Sequence, residues 1–348
     1  MIDYVKILFS NVDPTRLYNL PFLDFETPVN LKTGEMKSEK TVMYNHCKIT
    51  IYDSGVVLFA GSIHKFYNSL QGIKAPNNKA QKFYRGFNGN QFNINNIFFV
   101  RNHLEKLFDC SRKQMFFQNI EFGINTAPGF CPQLFLKGLL YHKGKLFEFK
   151  YYNQFAQVKH QQYYLKIYNK SEQYKMGVAS LRVEIKVIKM KFLEQTRIKT
   201  FADINTFTLK NAENLLLKTF DEVLNYDYTI GKKVLTRRQK QSLLNYSNPR
   251  YWLIDLKPEH RDRHKKKLQE FIYKYSDNLK GKVRQEIIKK CVIINRLSEN
   301  SKCVIINSSS IGLNITQKHS NKSDKKCIVP GAELTGEAAN AKEKNLNF

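Results

Sequence analysis

The chain has 348 residues, enough to bury a substantial core in one large domain or two modest ones. Apolar residues make up 42% and aromatics 13%, a globular balance, yet 57 Lys and Arg face 30 Asp and Glu for a formal charge of +27. An excess of that size is the electrostatic footprint of a polyanionic partner, with nucleic acid first in order. No apolar run reaches the ~18 residues that a membrane helix needs, and the opening MIDYVKILFSNVD has neither a basic leader nor a small-residue cleavage site. The expectation is a cytoplasmic protein without a membrane partner.

Residues 2–10, IDYVKILFS, alternate as a first strand, and residues 11–36 are rich in loop formers. HCKITIY (46–52) and VVLFAGS (56–62) flank Asp53-Ser54-Gly55 as a hairpin. GSIHK (61–65) follows at the strand exit, with His64 and Lys65 as candidate DNA contacts and an exposed histidine at a strand end as the plain alternative. Ile97, Val100, Leu104 and Leu107 keep helical spacing over 93–107. Residues 116–125, FFQNIEFGIN, return to strand alternation. Ile120, Phe122 and Ile124 fall on a core side, while Glu121, Gly123 and Asn125 fall on the other.

Residues 161–190 read as two strands around a polar turn near Tyr174 and Lys175. Leu165 and Ile167 pair with Leu181, Val183, Ile185 and Val187 as an apolar side. The opposite side collects Tyr164, Lys166, Tyr168 and Lys170 with Arg182, Glu184 and Lys186, and a turn at that place sets Tyr168 nearly opposite Arg182. A phenol becomes a nucleophile when cations stabilise the phenolate and a metal polarises the phosphate under attack. The carboxylates of Glu121 and Glu184 are hard oxygen donors of the kind that suit Mg²⁺ or Mn²⁺.

Residues 201–224 read as a helix with Ala212, Leu215, Leu216, Thr219, Phe220, Val223 and Leu224 on one stripe. From Gly231 to Lys290 eighteen Lys or Arg stand against six Asp or Glu, over two expected helices at 236–246 and 258–276 broken by Asn248-Pro249. Arg237, Arg238, Lys265 and Lys266 are its candidate phosphate contacts. Six cysteines, at 47, 110, 131, 291, 303 and 327, include no C-x-x-C pair, so free thiols are expected. A zinc site from Cys291, Cys303, Cys327 and His319 is the alternative. The segment 297–348 reads as weakly structured or disordered.

KIYNKSEQ (166–173) followed by LRVEIK (181–186) resembles the paired motifs of rolling-circle replication initiators of the plasmid Rep_trans type, where an R-x-Y-x-K strand carries the nicking tyrosine and an R-x-E strand a metal carboxylate. NIEFGIN (119–125) resembles that family's R-x-D-x-x-x-D strand, and GSIHK together with EFGIN is similar to replication proteins of filamentous phages. The resemblance spans roughly residues 40–205. It implies Tyr168 as nucleophile, Lys170 and Arg182 on the scissile phosphate, Glu184 and Glu121 as ligands of Mg²⁺ or Mn²⁺, and Asn125 where a second acid is expected. Lys166 and Lys186 would extend the DNA contact. It also implies origin DNA as partner, a homodimer, host helicase and polymerase, and a bacterial cytoplasm.

The expected architecture is α+β, an antiparallel twisted sheet with helices on one face, arranged as a nicking domain (1–230), a basic helical region (231–296) and the tail. The rival from another class is a non-catalytic DNA-binding regulatory protein of a mobile element. A third reading is an RNA-binding protein that uses the aromatic sheet for stacking.

Overall fold

The structure, a computed structural model, describes residues 1–78 and 84–295. β1 (Ile2–Phe9) runs into the short helix α1 (Pro14–Tyr18), and β2 (Glu39–Tyr44), β3 (Cys47–Tyr52) and β4 (Val57–Ser62) make a meander. Its second turn closes through Gly55 N–H to Tyr52 O, with Gly55 at φ 79, a conformation that suits glycine. α2 (Ile63–Leu70) is capped by the Ser62 hydroxyl, and α3 (Ile94–Phe108) by a reciprocal Asn93/Asn96 box. β5 (Met115–Thr126) is followed by α4 (Pro132–Leu136) and four short strands: β6 (Leu139–His142), β7 (Lys145–Leu146), β8 (Glu148–Lys150) and β9 (Phe155–Lys159). Then come β10 (Tyr163–Asn169), α5 (Lys170–Tyr174), β11 (Leu181–Val187), α6 (Thr206–Asp221), β12 (Val223–Asn225), α7 (Arg237–Tyr246), α8 (Pro258–Tyr275) and α9 (Leu279–Asn295).

Nine strands form one antiparallel sheet in the order β2-β3-β4-β1-β5-β11-β10-β9-β8, and β12-β6-β7 form a second. The α+β expectation is met. One apolar core joins Val5, Ile7, Phe122, Ile124, Leu165, Ile167, Val183 and Ile185 of the sheet to Val100 and Leu104 of α3 and Leu216 and Phe220 of α6. The strand alternation on β5, β10 and β11 therefore falls as the sequence predicts, with the apolar side inward and the polar set on the opposite face.

Several local expectations are corrected. The polar turn after β10 is the helix α5, stopped at Lys175 in the left-handed region. The strand exit at 61–65 continues into α2, so His64 lies inside a helix and is buried, not exposed. The helix expected over 201–224 ends at Asp221, and Val223 and Leu224 belong to β12. α7 and α8 match the two expected basic helices and enclose their own core around Trp252 with Tyr141, Leu243, Tyr246, Leu268 and Ile272. α9 is an addition. Its Leu279, Val283, Ile287, Cys291 and Ile294 recur at helical spacing and enter the main core, so the basic region 231–296 divides between two cores. Cys47, Cys110, Cys131 and Cys291 are free thiols, and burial takes Cys291 up to about 12. Cys303, Cys327, His319 and the tail 297–348 lie outside the described residues. Among the described residues no helix is long and apolar enough to cross a membrane.

Trp252 is fully buried and donates its indole N–H to Tyr246 O at 2.9 Å. Trp252→Ala is expected to cost ~3–5 kcal/mol and to speed amide exchange in α8 before β10 and β11. An unchanged urea midpoint would show that the helical module does not depend on this core.

Candidate active site

The polar face of the sheet carries a chain of charged groups across four neighbouring strands. Cross-strand register sets Tyr168 opposite Arg182 and Lys166 opposite Glu184, then Arg182 opposite Asn125 and Lys186 opposite Glu121. β1 joins through a bulge, since Ile2 pairs with Phe122 but Val5 with Ile120. The extra residue lets Asp3 and Tyr4 both reach the polar side: Asp3 meets Arg182, and the Tyr4 ring lies under the Lys186 ammonium at 5.2 Å.

Arg182 is 3% exposed. Its Nε donates to Glu184 Oε2 at 2.5 Å, Nη1 to Asn125 Oδ1 at 2.9 Å and Nη2 to Asp3 Oδ2 at 3.1 Å. Lys166 Nζ bridges Glu121 Oε1 at 3.1 Å and Glu184 Oε1 at 3.0 Å, and Lys186 Nζ reaches the same Glu121 oxygen at 3.1 Å. Burial alone would raise Glu184, but Lys166 and Arg182 outweigh it and bring the carboxyl down to about 2. Burial, aided by the Glu184 charge, pushes Glu121 the other way. The two carboxylates are thus separated into a firmly ionised one and one that protonates more readily, a division that favours distinct acid and base duties.

Tyr168 donates its hydroxyl to Glu184 Oε2 at 3.3 Å and is 7% exposed. Burial, followed by the Glu184 charge, holds the phenol well above its usual range. Lys170, 1% exposed at the start of α5, points its ammonium toward the rings of Tyr168 and Tyr174, 5.4 and 5.0 Å from their centroids. Burial, then Arg182, takes Lys170 down to about 7. Its Nζ donates to Asn88 Oδ1 at 2.6 Å, an oxygen that also accepts from Tyr174 OH at 2.7 Å, while Asn88 Nδ2 donates to Asp3 Oδ2 at 2.6 Å. Asn88 therefore ties the segment after α2 to both β1 and α5.

The expected catalytic and metal residues come together here, and Asp3, Asn88 and Tyr174 join them unforeseen. The carboxylates of Glu121 and Glu184 face each other as a Mg²⁺ or Mn²⁺ site requires, but the space between them holds an ammonium, and the oxygen of Asn125 is committed to Arg182. In this arrangement the residues do not fit a divalent ion. Among the described residues no group of three His, Cys, Asp or Glu is placed to hold one.

His64 stacks on Phe92 and shares its Nε2 with Asn90 Oδ1 at 2.7 Å, and burial brings it down to about 3. A neutral, enclosed imidazole of this kind positions the 88–92 segment and presents no charge to DNA. Lys65 is half-buried and gives its ammonium to Arg85 O at 3.0 Å. Arg237, Arg238 and Lys266 are exposed on α7 and α8, and Lys265 pairs with Asp262.

Lys170 gives a pH signature of defined sign. Its value in the fold, about 7, lies below the 10.5 of a free lysine, so between the two the unfolded chain holds the extra proton and stability rises with pH. Glu184, at about 2 against 4.5, contributes stability that is present above 4.5 and lost as pH falls toward 2. Lys170→Met is expected to flatten the rise in urea midpoint from about pH 7 to 9.5 and to leave the acid-side loss in place. An equal rise in the variant would place the cause elsewhere. No family model, curated protein or solved structure matches this chain.

Proposed function

We propose that this chain binds DNA and cuts one strand through Tyr168, as an initiator of rolling-circle replication. The observation that carries the reading is the convergence of a strand tyrosine, two carboxylates and four cations on one face of an antiparallel sheet, in a chain with a formal charge of +27. The resemblance of KIYNKSEQ and LRVEIK to the initiator motifs supports the same choice of nucleophile. The phenolate oxygen would bond to phosphorus, the bond from phosphorus to the 3′ oxygen would break, and the 3′ oxygen would leave as a hydroxyl. The strand's 5′ phosphate would then sit on Tyr168. Lys170, at about 7, is matched to accept the phenolic proton near neutral pH. Arg182 and Lys186 would face the charge that builds on the phosphoryl oxygens.

The helical module supplies duplex affinity on this reading. Arg237 and Arg238 occupy the first turn of α7 with no acidic residue beside them. Cations there oppose the helix dipole, whereas a bound phosphate would be favoured by the dipole and by both arginines. A second reading, a DNA-binding regulatory protein whose ion network only holds the sheet together, is favoured by the burial of Tyr168 and its raised pKa.

Two measurements decide. With supercoiled DNA of the chain's own replicon, the wild type should yield nicked circles and a covalent protein–DNA adduct, and Tyr168→Phe neither. Nicking by the variant at the wild-type level would remove Tyr168 from the reaction, and binding without nicking by the wild type would select the regulatory reading. Replacing Arg237 and Arg238 with Ala should lower the slope of log affinity against log salt by about 2, roughly 0.9 for each phosphate that is no longer neutralised. An unchanged slope would move the duplex contact off α7.

A further inference from the structure

The position of Lys166 bears on how the reaction is powered. Its ammonium lies between an oxygen of Glu121 on β5 and an oxygen of Glu184 on β11, at 3.1 and 3.0 Å, with the side chain 15% exposed. We propose that Lys166 is the resident cation of this site and that its strand-cutting chemistry runs without a bound divalent metal. The inference rests on the nicking reading above.

Three independent features carry it. Three of the four carboxylate oxygens are already engaged: Glu184 Oε1 takes Lys166, Glu184 Oε2 takes Arg182 and Tyr168, and Glu121 Oε1 takes both Lys166 and Lys186. Mg²⁺ demands about six oxygens in near-octahedral array. The third position that could supply an acid is the neutral Asn125, whose Oδ1 serves Arg182. Charge gives the third feature. Asp3, Glu121 and Glu184 stand against Lys166, Lys186 and Arg182, with Lys170 adding a fourth cation when protonated, so the cluster carries no net negative charge before any metal is added. Adding a dication to a buried cluster of that balance raises a desolvation and repulsion cost that no acid here offsets. An ammonium performs the electrostatic part of a metal's work, holding the two carboxylates together and facing the phosphate with positive charge.

The test compares Mn²⁺ binding to the full chain, read by electron paramagnetic resonance, with DNA cutting in the presence of a chelator. Wild type should bind no Mn²⁺ at the site and, with DNA, form its adduct equally well in excess EDTA. Lys166→Met uncovers both carboxylates and should bind Mn²⁺ about tenfold more tightly or better, a step of ~1.4 kcal/mol. Adding Glu184→Gln to that variant should remove the gain. Tight Mn²⁺ binding by the wild type overturns the inference without recourse to any variant, and so does adduct formation that EDTA stops and Mn²⁺ restores. Equal, weak Mn²⁺ binding by the wild type and a folded Lys166→Met protein also overturns it, because the carboxylates would then be no metal site even when freed. If the wild type forms no adduct with or without metal, the nicking reading fails while the Mn²⁺ comparison still decides what Lys166 displaces.

Discussion

The guanidinium of Arg182 sits between Asp3 and Glu184 with almost no access to water, and much of the sheet's polar face is arranged around that fact. A buried ion pair adds little net stability, yet removing one partner leaves an uncompensated charge at a cost of ~3–5 kcal/mol. Each group is therefore fixed by the others. Asp3 can reach Arg182 because β1 bulges, and Glu184 can lie flat across β5 because the facing residue is Gly123. A Cβ at Gly123 would run into Glu184 Cβ and Val183 O, so the close approach of the neighbouring strand β11 leaves no room for a side chain there.

The same constraint divides the chain's positive charge into two kinds. Inside, cations are counted against acids almost one for one, since burial tolerates little excess. Outside, on α7 and α8, the surplus is free of that rule because water screens it. The small sheet stands between these regimes. His142 on β6 shares Nδ1 with His160 Nε2 at 2.8 Å, and burial, then His160, brings it down to about 3, so this junction between the two sheets is polar but uncharged on the imidazole. Beside it Lys143 pairs with Glu222 at 3.0 Å, so the charge at this junction is carried by that ion pair and not by the histidines.

Legibility in the sequence followed the strength of the physical signal. β10 and β11 were readable as a pair, because the inward set Leu165, Ile167, Val183 and Ile185 fixes the faces, a one-residue slip would bury Lys166 or Arg182 in the apolar core, and the turn near Tyr174 and Lys175 sets which residues stand opposite. That register placed Tyr168, Arg182 and Glu184 together, while Glu121 is brought to them by the pairing of β11 with β5, which no pattern in the sequence showed. Asp3 was not readable, since a bulge leaves no mark in an alternating strand. Asn88 was hidden too: an asparagine in a loop declares nothing until its partners from β1 and α5 surround it. The strands of 139–159 are two to five residues long, too short to show a period. α9 did carry a signal in Leu279, Val283, Ile287 and Cys291, obscured by the lysines between them.

The ionisation states of Tyr168 and Lys170 tie the fold to the proposed reaction. In the free protein the phenol is held neutral by burial and by Glu184, and Lys170 is held near half-protonation at neutral pH by burial and by Arg182. A phosphate entering the face would bring a negative charge toward Lys170 and favour its ammonium form. The phenolic hydrogen is directed at Glu184, so on the nicking reading Lys170 would take that proton only once bound DNA brings the two groups within reach. Without DNA the same network would keep the phenol protonated, which explains how a site so rich in cations can carry a tyrosine with a raised rather than a lowered pKa. The burial that counts against Tyr168 as a free nucleophile is, in this light, what would confine its reactivity to the DNA-bound state.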